Sequence, residues 1–85
     1  MPNLAHYEAI VAETVRILKA ERIRRGLSNY AVSKRSGVSQ SMLSLVEKGT
    51  RNPSLELLLR IADATQADLP KIIKKAQTTI SKKTD

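Results

Sequence analysis

Apolar residues recur along the chain at three- and four-residue steps, in runs broken by glycine or by short polar stretches. Leu4, Tyr7, Ile10, Val11, Val15, Leu18 and Arg22 share one face of a helix expected from about Leu4 to Arg25. Gly26 ends it. Ser28 is a good N-cap for a short second helix, Asn29 to Arg35, which Gly37 closes. Ser39 caps a third helix, Gln40 to Glu47 or Lys48, closed by Gly49. After the loop Thr50-Arg51-Asn52-Pro53, Ser54 caps a fourth helix with the core stripe Leu55, Leu58, Leu59 and Ala62. The fifth begins near Asp68 or Leu69, with Pro70 in its first turn, where a missing N–H does no harm. Its stripe is Leu69, Ile72, Ile73 and Ala76. No segment alternates with the period of two that a half-buried strand needs, so the pattern is all-α. The three glycines stand 11 and 12 residues apart, but the segments between them do not resemble one another, which excludes a repeat.

Length and charge sharpen this. The 85 residues suit one small domain, which buries only a modest share of its surface. The expected division is an N-terminal extension of the first helix over 1–14, a domain over 15–77 and a flexible basic tail over 78–85. No cysteine is present, so disulfides and thiolate metal sites are excluded. Neither a secretory leader pattern nor an apolar run of about 20 residues is found, and the expected setting is the cytoplasm, in association with the nucleoid. The net charge of +7 is uneven: residues 16–35 hold seven cations against Glu21 alone, and Lys71, Lys74, Lys75, Lys82 and Lys83 make the end basic. Such a surface suits a polyanionic partner or, more plainly, a solvated helical exterior.

The break at Gly37 is the most informative point. Two short helices joined by a tight glycine turn describe a helix-turn-helix, over residues 28–48. Val32, Val38, Leu43 and Val46 supply its inner face, and the small Ala31 and Ser33 allow close approach. Ser39, Gln40, Ser41, Ser44 and Leu45 are left on the outer face. The start of a helix exposes N–H groups on which a phosphate can dock, which draws attention to Ser39. Short polar side chains there can reach base edges in a major groove, and a glutamine amide can bond adenine N6 and N7 together. The plain alternative is a helical hairpin whose serines are caps and solvated surface.

The stretches "LKAERIRRGLS", "GVSQSMLSLVEKG" and "RNPSLELLLRIA" resemble the phage repressor and Cro family of Xre-type DNA-binding domains, over roughly Val15 to Ile73. The match includes an arginine four residues before Gly26, the turn glycine, Glu47 before Lys48-Gly49, and Asn52-Pro53-Ser54. It departs at Val32-Ser33, where the family carries Leu-Ala, at Ser36, where a larger apolar residue is usual, and at Asn29, often glutamine. The resemblance implies a five-helix repressor-like fold with a central helix-turn-helix. It implies base reading by Gln40, Ser41, Ser44 and Leu45. Phosphate contacts are implied for Asn29, which also stands where it could brace Gln40, and for Tyr30, Lys34, Ser39, Arg51 and Asn52. Tyr30 is equally readable as a surface ring, Leu45 as a packed leucine, and only one of Lys34 and Arg35 is expected on DNA. Met42 points either to the groove or to the first helix.

The resemblance also places Arg22 and Glu47 as an ion pair tying the first helix to the end of the third. Breaking such a pair costs about 3–5 kcal/mol if buried and under about 1 kcal/mol if exposed. Family members bind inverted repeats as two-fold dimers, so a homodimer on double-stranded DNA is expected. Its surface is either Leu69, Ile72, Ile73 and Ala76, a stripe that Ile80 could extend, or the extended first helix with Leu4, Tyr7 and Val11, unless these stripes pack together within one chain. The expected function is a sequence-specific transcriptional regulator, a repressor; the alternative is an antitoxin that binds a toxin and represses its own operon. An enzyme is not expected: His6 is alone, metal-ligand spacing and a glycine-rich phosphate loop are missing, and no cofactor or metal is implied. Two tyrosines offer little for stacking RNA bases, and Leu69 to Lys75 is too short for membrane docking.

Overall fold

The computed structural model describes residues 4–84, so the parts of the expected extension and tail at 1–3 and 85 lie outside the described residues. The chain forms five helices: α1 (Leu4–Arg24), α2 (Asn29–Ser36), α3 (Gln40–Glu47), α4 (Leu55–Thr65) and α5 (Leu69–Thr84). No strand occurs among the described residues, and no helix is long and apolar enough to cross a membrane.

The expected caps form. The hydroxyls of Ser28, Ser39 and Ser54 each accept from the backbone N–H three residues on, at 3.1 Å. Gly37, at φ 75°, takes the left-handed conformation that lets the chain turn sharply between α2 and α3. At the end of α4 the same conformation falls to Gln66, φ 58°, where no glycine marked the stop. Its N–H and that of Ala67 still return to Asp63 O and Ala62 O.

The core gathers Val15 and Leu18 of α1, Val32 of α2, Val38 in the turn, Leu43 and Val46 of α3, Leu58, Ile61, Ala62 and Ala64 of α4, and Leu69 and Ile72 of α5. All four apolar residues assigned to the inner face of the helix-turn-helix lie in it. The stripe expected for α4 needs correction. Leu55 and Leu59 are 63% and 47% exposed, and Ile61, Ala64 and Thr65 are buried with Leu58 and Ala62. The leucine run of α4 offers apolar residues on two faces, and contact with α1 and α2 selects the one through Leu58, Ile61 and Thr65. Buried Thr65 bonds the carbonyls of Ile61 and Ala62, and buried Thr14 bonds that of Ile10, so neither hydroxyl is stranded.

A second correction concerns α5. The helix does not stop near residue 77 but runs on through Thr84, with Ile80 buried. It packs on α1 and α4 and touches neither α2 nor α3. Since α4 ends beside the start of α5, the later turns of α5 are covered by the N-terminal half of α1, and the two helices make a pair that lengthens the molecule to 40 Å. This overturns the assignment of Leu69, Ile72 and Ala76 to a dimer surface: burying them within one chain is what holds α5 in place. Ile73 is half-buried and packed against the same core. At the free end of the pair, Leu4 and Tyr7 of α1 are 70% and 54% exposed.

Candidate nucleic-acid interface

α3 is anchored by Leu43 and Val46, so the opposite side faces outward. Gln40 and Ser41 are exposed, Ser44 is half-buried, and Leu45 is 40% exposed rather than packed away. Met42 is half-buried against the core and leaves the outer face to the polar residues. The Ser39 hydroxyl is occupied as the cap of α3. What Ser39 offers a phosphate is therefore the helix start rather than a free side chain.

Several side chains fix the angle of α3. Arg22 of α1 meets Glu47 in a two-pronged pair, Nε to Oε2 at 2.8 Å and Nη2 to Oε1 at 3.0 Å. Its third nitrogen, Nη1, donates to the Leu27 carbonyl at 2.8 Å. One guanidinium thus joins the end of α1, the connector to α2 and the end of α3. Both side chains are only 16% exposed, so losing either strands a desolvated charge, on the scale of about 3 kcal/mol.

The turn is held from α4. Arg60 Nη1 donates to the Ser36 carbonyl at 3.1 Å, while its Nε pairs with Glu56. Ser36, the departure from the usual apolar residue, is buried, and its hydroxyl accepts from Val38 N at 3.1 Å, closing the turn with a hydrogen bond in place of bulk. Arg35 donates to the Ala64 carbonyl at 3.3 Å. These roles of Arg60 and Arg35 carry no sequence signal: Glu56–Arg60 reads as a plain surface pair, and Arg35 as one more surface cation.

That contact separates Arg35 from Lys34, which stays exposed with Nζ 5.4 Å from the centroid of the exposed Tyr30 ring. Arg51 and Asn52 are exposed on the loop after α3. Asn29 is half-buried at the start of α2, and its Oδ1 is the one buried side-chain atom without a hydrogen-bond partner among the described residues. No hydrogen bond joins it to Gln40, so the bracing contact is not formed in the free protein.

Residues 18–72, well over half of the chain, match the model of a family described as helix-turn-helix, of the Cro/C1, Xre-like type. The chain belongs to this family. No curated protein and no solved structure gave a significant match. A helix-turn-helix protein of this type is a DNA-binding transcriptional regulator that binds double-stranded DNA. The first turns of α1 and the last turns of α5 lie outside the matched region.

Proposed function

We propose that this helix-turn-helix protein is a sequence-specific repressor that binds an inverted-repeat operator as a homodimer, with α3 in the major groove. The observation that carries the reading is the outward face of Gln40, Ser41, Ser44 and Leu45 on a helix whose far side and far end are fixed by the core and by Arg22. Gln40 reads a base through its amide, Ser41 and Ser44 bond neighbouring edges, and Leu45 meets a thymine methyl. Asn29, Tyr30, Lys34, Arg51, Asn52 and the start of α3 grip phosphates and set the register. With α5 buried against α1, the two-fold contact falls to the exposed apolar residues, and the extended α1 with Leu4 and Tyr7 supplies it.

The test is selection of bound duplexes from a random pool by the full chain, with the mass of the complex measured in solution. The expected winner is a palindrome whose half-sites lie about 34 Å apart, bound by two chains. A pool that remains random after selection, or a single chain on an asymmetric site, overturns the reading.

A further inference from the structure

The positive charge is not spread evenly over the folded surface. Among the described residues the ion pairs are made by arginines: Arg16 with Glu13, Arg22 with Glu47, Arg24 and Arg25 with Glu21, and Arg60 with Glu56. The cations left without a carboxylate form two groups. Lys19, Lys34, Lys48 and Arg51, with Arg35 on the Ala64 carbonyl, belong to the helix-turn-helix and its flank. Lys71, Lys74, Lys75 and Lys82 stand exposed along α5. Glu21 borders the same groove as Lys71 and Lys75, but Arg24 and Arg25 already hold it. Asp68 accepts from the Lys71 backbone N–H at the start of the helix.

The chemistry of the face selects its occupant. Protein interfaces are depleted in lysine and need an apolar or aromatic anchor. Between the lysines, the exposed positions of α5 hold polar residues such as Gln77 and Ser81. Membrane-surface helices insert an apolar stripe, and that of α5 is buried under α1. A sugar–phosphate backbone asks only for charge and polar contact. From Lys71 to Lys82 the helix spans about 16 Å, close to five base-pair steps of about 3.4 Å. α5 packs on α1 and α4 and touches neither α2 nor α3, so its lysines are not part of the helix-turn-helix.

We propose that α5 is a second DNA-binding surface, through which a protein already seated on one duplex by α3 holds the phosphate backbone of a second duplex without regard to sequence. The proposal goes beyond the repressor reading and fails separately from it: without a working helix-turn-helix, α5 still captures a duplex but bridges nothing.

The test fixes a duplex carrying the full selected site to a surface, saturates it with the full chain, and measures capture of a fluorescent second duplex of unrelated sequence. Wild type is compared with K71Q/K74Q/K75Q/K82Q and with the matching Lys→Arg variant, with helicity and melting temperature checked for each. The expected result is capture that falls roughly a hundredfold between 50 and 200 mM salt, as four released counterions imply. The glutamine variant should lose capture at unchanged affinity for the fixed duplex, and the arginine variant should keep it. Capture that survives in the glutamine variant, or no capture by wild type, overturns the proposal. So does a fall in affinity for the fixed duplex with a flatter salt slope, because the lysines would then lie on the same DNA as α3.

Discussion

In the proposed seating of α3, sequence discrimination rests on Gln40, which is exposed at the start of the helix and can make two bonds to one base. Gln40→Ala should weaken binding to the selected site by about 1–3 kcal/mol and leave binding to unrelated duplexes unchanged. Equal losses on both would remove it from base reading. Glu21 makes a different argument. Hydrogen bonds from Arg24 and Arg25 hold its carboxyl down to about 2, below the usual 4.5. A lowered value in the folded state means that its contribution to stability is complete above about 4.5 and is lost as pH falls toward 2. Glu21→Gln should therefore melt below wild type at pH 6, with the gap closing between pH 4.5 and 2 in melts taken stepwise. A gap that does not change with pH would show that the charge is not what the pair contributes. Residue roles were legible where local chemistry dictates them: the serine caps, the Gly37 turn and the inner apolar residues of α2 and α3. The Arg22–Glu47 pair was reached only through resemblance, since its partners stand 25 residues apart. The grip of Arg60 on the turn was not legible, because a backbone carbonyl leaves no mark on the residue type that receives an arginine.

Among the elements, α5 departs most from the sequence pattern. Thr78, Thr79, Ser81, Lys82 and Lys83 dilute the apolar signal to the single Ile80, and a polar stretch near a terminus reads as frayed. A helix needs only one covered face, however, and α1 is long enough to cover it: its 21 residues extend about 30 Å. Ile80 is 8% exposed, four residues beyond the fully buried Ala76, so it continues the same stripe. Ile80→Ala should lower the unfolding free energy by about 2–4 kcal/mol, the usual cost of truncating a buried isoleucine. Chemical denaturation of the full-length variant measures it. A loss under about 0.5 kcal/mol, typical of a surface change, would show that the end of α5 is not held against α1. The error in α4 has a related cause. Its leucines allow two apolar faces, and only the positions of α1 and α2 choose between them.

At the scale of the molecule, the arginines are used largely within the fold, and the lysines, with Arg35 and Arg51, carry the charge that no carboxylate offsets. This division gives Arg51 a distinct signature. It is exposed on the loop after α3, no ion pair holds it, and the proposed seating of α3 brings it to a phosphate. A phosphate contact releases a counterion whatever the sequence, and each one adds about 0.9 to the slope of log affinity against log salt. Arg51→Ala should therefore weaken binding to the selected site and to unrelated DNA alike, and reduce that slope by about 1. The K71Q/K74Q/K75Q/K82Q variant should leave the slope for the selected site untouched. The two titrations together separate the charge that α3 needs from the charge on α5. Equal slopes for wild type and Arg51→Ala would move the loop away from the DNA backbone and leave the grip to Lys34 and the start of α3.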